Sequence, residues 1–178
     1  DNIRLARMAG LKTFYGNPVS EFATQRLELT GIGNLIALSP LRELNVIAGM
    51  HFRSEFGERH IFSIRTSADN NKAEKHQVAS TLKGAPLFSE DLTYAKLASL
   101  IGSGAEIRAT RLTEEFTMEE FRRQGGSQLL FAVTDKGKLK PFIAGETLEP
   151  AKDWVLLSLI REPKPKIREN NDEQPDLP

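Results

Sequence analysis

Three short apolar runs, each closed by turn-forming residues and each preceded by a helical pattern, constrain this chain more than any other feature. They are Leu11-Lys-Thr-Phe-Tyr15 ahead of Gly16-Asn17-Pro18, Asn34-Leu-Ile-Ala-Leu38 ahead of Ser39-Pro40, and His60-Ile-Phe-Ser-Ile-Arg65. Runs of this length bounded by Gly, Pro, Asn and Ser read as buried strands. Before the first, Ile3, Leu5, Ala6 and Ala9 fall at helical spacing and Gly10 supplies the stop. Ser20 reads as the N-cap of a second helix carrying Phe22, Ala23, Arg26 and Leu27, broken at Gly31-Ile-Gly33. Ser39-Pro40 opens the clearest helix, with proline at the favoured first position. Its apolar residues Leu41, Leu44, Ile47, Ala48 and Met50 run on to Phe52 and Phe56, and Gly57 ends it. Alternation of helix and strand predicts a parallel sheet with crossover helices. Such a sheet ordinarily opens on a strand, whereas this pattern opens on a helix at residue 2, so the expectation is a chain that starts inside a larger fold.

The second half changes character. Residues 67–83 are polar and read as a linker or a solvated helix. Beyond them come Ala85-Pro-Leu-Phe88, a helix from Thr93 to Ile101 stopped by Gly102-Ser-Gly104, and the alternating strand Glu106 to Leu112. Thr117 with Glu120 three residues on is a capping-box signature. Gln128–Val133, the turn Asp135-Lys-Gly137, Leu139–Ile143 and Val155–Ile160 predict mostly antiparallel strands. Residues 162–178 are rich in proline and poor in large apolar side chains, the composition of a disordered tail. The predicted class is therefore α/β, with a partial Rossmann-like parallel lobe over 1–66, the polar linker or solvated helix over 67–83, and a smaller α+β lobe, entered through a linking helix, over 84–161.

Composition narrows the function. Lys and Arg number 24 and so do Asp and Glu, a formal charge of zero that argues against a nucleic-acid partner. The absence of cysteine removes thiol nucleophiles and thiolate metal sites. The longest strongly apolar run, Trp154 to Ile160, is far short of the roughly 20 residues that span a bilayer. His51, His60 and His76 lie in different elements without ligand-like spacing, and the pairs Glu114-Glu115 and Glu119-Glu120 flank a helix start, where negative charge is favourable anyway. The strand ends carry more information, because open parallel sheets bind ligands at the carboxyl ends of their strands. There Gly16 admits a close backbone approach, Asn17 offers hydrogen bonds to an adenine or ribose edge, and Ser39 stands at a helix N-terminus suited to phosphate. Ordinary turn chemistry also accounts for each of them.

At this point the residues carry a resemblance. Ala6-Arg-Met-Ala-Gly-Leu-Lys-Thr-Phe-Tyr-Gly-Asn17 resembles a helix and strand of the RCK (TrkA-N) domain, the regulator of potassium conductance fold. Ile36-Ala-Leu-Ser-Pro-Leu-Arg-Glu-Leu-Asn45 resembles the family's A-x-T-x-x-D-E-x-N stretch, with Ser39 in the threonine position, Glu43 and Asn45 matching, and Arg42 replacing the aspartate. Residues Glu106 to Leu159 are similar to the family's C-terminal lobe (TrkA-C), with Lys152-Asp153 where that lobe has a Gly-Asp pair. Thr13 to Ser20, Arg53 to Gly57 and Leu87 to Tyr94 look like the cytosolic C-terminal region of bacterial sodium/proton antiporters. The resemblance implies a cytosolic, non-enzymatic regulatory module of a membrane cation/proton antiporter. Its implied partners are the antiporter's membrane domain and a second copy of itself, and its implied ligand is NAD(H) or an adenine nucleotide. It also places Asp1 near the acidic position that holds ribose, while the family's glycine-rich phosphate loop has no counterpart here. A dimerisation module without a small-molecule ligand and a dehydrogenase-like fragment stand as alternatives.

Overall fold

The computed structural model describes residues 2–69, Leu82 and 84–161. Asp1, positions 70–81 and 83 of the expected linker with His76 among them, and the expected tail at 162–178 lie outside the described residues.

The chain opens with α1 (Asn2–Met8), whose end is closed by Gly10 N–H to Arg7 C=O and Leu11 N–H to Ala6 C=O bonds. Residues 11–15, expected as a strand, form none. A strand exists only where a ladder partner takes up its backbone groups. Here Leu11 and Tyr15 are exposed, and the Lys12 ammonium reaches Glu28 at 2.6 Å. The expected N-cap at Ser20 is present: its Oγ accepts from Ala23 N–H at 3.1 Å and starts α2 (Glu21–Arg26). Of α2 only Ala23 is buried, and Phe22 stays exposed beneath the Arg26 guanidinium, 4.7 Å from its ring centre.

β1 (Leu35–Ala37), β2 (Ile61–Ile64) and β3 (Ala85–Leu87) form a parallel sheet in that order, with Leu35 opposite Ile61 and Phe62 opposite Ala85. The third parallel strand thus comes from after the polar stretch, not from residues 11–15. Between β1 and β2 lie α3 (Arg42–His51) and α4 (Arg53–Phe56), the latter ended by Gly57. Pro40 is not the first helical residue as the sequence suggests. Ser39 Oγ accepts from Leu41 N–H at 3.1 Å, and this turn delays the helix until Arg42, with Leu41 as N-cap.

α5 (Tyr94–Gly102), capped by Thr93, leads into the second sheet. That sheet consists of β4 (Glu106–Arg111), β5 (Ser127–Val133), β6 (Leu139–Pro141) and β7 (Val155–Ile160) in the order β4-β7-β5-β6, and is antiparallel throughout. α6 (Met118–Gln124) starts with the full capping box: Thr117 Oγ1 accepts from Glu120 N–H, and the Glu120 carboxylate accepts from Thr117 N–H. Lys152-Asp153 make the turn into β7, with Asp153 at φ +68°. The expected α/β class holds: a parallel lobe with crossover helices, then an antiparallel lobe.

Two apolar clusters carry the packing. One, of Leu112, Met118, Phe121, Ala132, Phe142 and Leu156, lies between α6 and the antiparallel sheet. The other joins the sheets, bringing Phe62 and Leu87 of the parallel sheet, with Phe88 and Leu92, against Ala105, Leu130 and Leu159. Backbone pairing reinforces the joint, with Ala144 N–H bonded to Pro86 C=O at 2.8 Å and a bridge between Leu87 and Ile143.

Candidate functional site

The carboxyl ends of β1 and β2 hold the most deeply buried charged and amide side chains described. After β1 the chain turns at Ser39, and Asn45, 3% exposed on α3, clasps that turn from both sides. Its Oδ1 accepts from Ser39 N–H and its Nδ2 donates to Ser39 C=O, both at 2.9 Å. A buried amide must find partners for all its polar atoms, and here the strand-to-helix turn supplies two of them. The turn is thereby fixed just where α3 begins.

One residue into α3, Arg42 points inward and is 6% exposed. Its Nε lies 3.0 Å from Asp69 Oδ1, yet the N–H is not aimed along that contact and makes no hydrogen bond. Asp69 ends a single 3₁₀ turn, Ser67–Asp69, that follows β2. Its second oxygen, Oδ2, accepts from Thr66 N–H at 2.8 Å and from Thr66 Oγ1–H at 3.0 Å. Thr66 is itself 4% exposed. Among the described residues, the Arg42 cation and the Asp69 carboxylate thus meet at the ends of two adjacent parallel strands, with Ser39, Asn45 and Thr66 holding the backbone around them. Electrostatically the pair is an incomplete match, because a guanidinium recognises a carboxylate best through two aligned N–H donors.

The residues singled out in the sequence are distributed differently from the expectation. Ser39 belongs to this cluster, and its hydroxyl accepts from Leu41 N–H. Gly16 and Asn17 do not follow a parallel strand, since residues 11–15 form none. Both are exposed, and Asn17 serves the turn into α2: its Oδ1 accepts from Val19 N–H, and its carbonyl accepts from Ser20 Oγ at 2.8 Å. No described hydrogen bond or ion pair joins them to Ser39. Asp1 lies outside the described residues. His51 and His60 act as links between elements, His51 Nε2 to Thr24 Oγ1 at 3.2 Å and His60 Nδ1 to Asn34 Oδ1 at 3.0 Å. Among the described residues no group of three or more histidine and acidic side chains is placed to hold a metal, and no helix is long and apolar enough to cross a membrane. The Glu28 carboxyl, outside this cluster, is held below the usual range by its hydrogen bond to Lys12 and then by that charge.

The Arg42–Asp69 pair was absent from the sequence expectation. Its one signal was the basic residue standing where the resembled motif has an acid. Asp69 gave none, sitting at the head of a polar stretch that reads as solvated.

The outer surface of α3 is the second notable feature. The inward stripe of this helix is Arg42, Asn45, Ala48 and Gly49, whereas Ile47 and Met50 lie outward at about half exposure, with Leu41 exposed at the helix start. Leu44 and Val46, half-buried, flank that outward face. This helix therefore carries apolar side chains on the side away from its buried stripe as well as small and polar ones within it.

No family model matches this chain, and no curated protein matches it. Among solved structures it is similar to the crystal structure of the GsuK RCK domain, at 12% identity and a TM-score of 0.32. The match covers 83% of this chain and 34% of that one, so the chain spans about a third of that structure's length. At that level of overlap the fold rests on this chain's own strand order and pairing.

Proposed function

We propose that this chain is a non-enzymatic regulatory module of the RCK kind, working through the pairing of its parallel lobe with a second copy across the outer face of α3. The observation that carries the reading is the inverted polarity of that helix, with a cation and an amide turned inward and Ile47 and Met50 turned outward. Two such faces related by a two-fold axis bury each other's apolar side chains, since an isologous contact presents the same patch from both sides. The sequence resemblance supplies the setting: a cytosolic position beside the membrane domain of a cation/proton antiporter, with sodium as the exchanged ion. In that setting a change in the geometry of the pair is passed to the tethered domain. A ligand biases the gate only through its different affinity for two states, and about 100-fold preference supplies roughly 2.7 kcal/mol.

Sedimentation equilibrium tests the pairing. The chain is expected to dimerise at micromolar concentration, and Ile47→Glu with Met50→Glu to leave a folded monomer with an unchanged circular dichroism spectrum. A wild-type monomer at 100 μM, or a dimer that survives both substitutions, overturns the reading. For the nucleotide implied by the resemblance, NAD(H) and ATP at millimolar concentration are expected to raise the melting temperature.

A further inference from the structure

Arg42 is out of place on ordinary grounds. A guanidinium that is 6% exposed has given up its hydration, and such a charge is stabilising only when its donors are satisfied. Here the Nε–H has no aligned acceptor among the described residues, and a carboxylate lies 3.0 Å away with its other oxygen accepting from Thr66. A second, independent feature lies beside it. Leu41, the N-cap of α3, brings no side-chain acceptor to the N–H groups of the helix's first turn, where fixed partial positive charge favours an anion. The buried cation and the uncapped helix start sit together at the carboxyl end of β1, the end at which parallel sheets place their ligands.

We propose that Arg42 marks a phosphate-binding position at the ends of β1 and β2, and that the Asp69 carboxylate is its internal occupant, displaced when a phosphate-bearing ligand binds. The carboxylate is a short stand-in, delivered by the 3₁₀ turn Ser67–Asp69 and steadied by Thr66. A phosphate group carries more charge and more acceptor oxygens, so it fits the planar donor fork of an arginine better than an off-axis carboxylate does. Because Asp69 and the ligand compete for one guanidinium, the affinity for phosphate is set by the difference between the two. Removing the internal competitor therefore raises affinity, the reverse of what deleting a ligand-contacting residue does. The position depends on none of the residues on the outer face of α3, so it stands or falls separately from the pairing proposed above.

Isothermal titration of the full chain with inorganic phosphate and with AMP, at matched ionic strength, tests this. Asp69→Asn keeps an acceptor for Thr66 but removes the charge, and is expected to bind phosphate at least tenfold more tightly than the wild type. Adding Arg42→Met to it is expected to abolish that gain. Tighter binding of AMP than of phosphate assigns the group to a phosphate ester, and equal binding assigns it to the free ion. The proposal is overturned if Asp69→Asn binds no more tightly than the wild type. It is equally overturned if the double variant binds as well as Asp69→Asn, which would mean an adventitious ion only. Should Asp69→Asn be too unstable to titrate, its melting temperature in phosphate against chloride gives the same reading. A rise specific to phosphate and dependent on Arg42 supports the position, and equal melting in both salts overturns it.

Discussion

Gly84 enters β3 with φ +71°, so close to β2 that a Cβ added there would stand 2.8 Å from the Ile61 carbonyl oxygen and 2.9 Å from Ile61 Cγ2. Backbone cannot yield as a long side chain does, so Gly84→Ala carries two costs. The left-handed backbone alone costs about 1–2 kcal/mol, and the collision adds to it by forcing β2 and β3 apart. Gly31, at φ +82° with nothing within reach of a Cβ, isolates the first cost. In urea denaturation Gly31→Ala is expected to lose about 1–2 kcal/mol and Gly84→Ala clearly more; equal losses would show that the approach to Ile61 has no weight. Ser158 makes the opposite case. It is fully buried in β7 between Arg108 of β4 and Leu129 of β5, and its Oγ has no hydrogen-bond partner among the described residues. An unsatisfied buried hydroxyl costs about 1–3 kcal/mol, so Ser158→Ala, which removes it at nearly constant volume, is expected to raise stability by about 1 kcal/mol. A loss on that substitution would mean that the hydroxyl is satisfied after all.

Among the elements, α6 depends strongly on its ends. It has seven residues, too few to be stable alone, and buries only Met118 and Phe121. Its capping box satisfies two backbone N–H groups reciprocally, so Thr117→Ala is expected to cost about 1 kcal/mol and Thr117→Ser almost nothing. Amide exchange in residues 118–124 distinguishes this from a general loosening, because protection should fall there before it falls in β5 or β7. This cap was legible in the sequence, as were the Ser20 cap, the Gly57 stop and the antiparallel strands, because each is set by residues within a few positions of one another. What was not legible depends on residues far apart in the chain. Residues 11–15 have a strand's composition but no ladder partner, and Ala85–Leu87 is too short to announce itself until β2 lies beside it. Pro40 misleads for a related reason: the Ser39 turn, locked by Asn45 six residues on, delays the helix start. At the strand ends Ser39 was found from local signals. Arg42 and Asp69 are 27 positions apart, and only the fold shows that they meet.

At the scale of the whole molecule, the question is whether the two sheets are two folding units or one. Their strands differ in direction and order, and the chain passes from one to the other through Phe88, Leu92 and α5. The joint is nevertheless part of the core. Phe88, 5% exposed, meets Phe131 of β5 edge to face at 5.1 Å and packs in the cluster that also holds Phe62 and Leu159. Backbone bonds cross the same seam at Pro86 and Leu87. A shared core with shared hydrogen bonds couples the stability of both sides, so a defect placed in it is felt in each. Truncating a buried phenylalanine costs about 3–5 kcal/mol. Phe88→Ala is therefore expected to lower the transition of both sheets together, and so is Phe121→Ala, although Phe121 packs in the cluster under α6. Trp154, the sole tryptophan, packs against that second cluster and reports it by fluorescence, while amide exchange in β1 and β2 reports the parallel sheet. Coincident shifts of both probes in Phe88→Ala are the mark of one cooperative unit. If the Trp154 transition stayed at its wild-type midpoint while β1 and β2 lost protection, the lobes would fold independently, and a change of geometry between them would cost far less than this shared core implies.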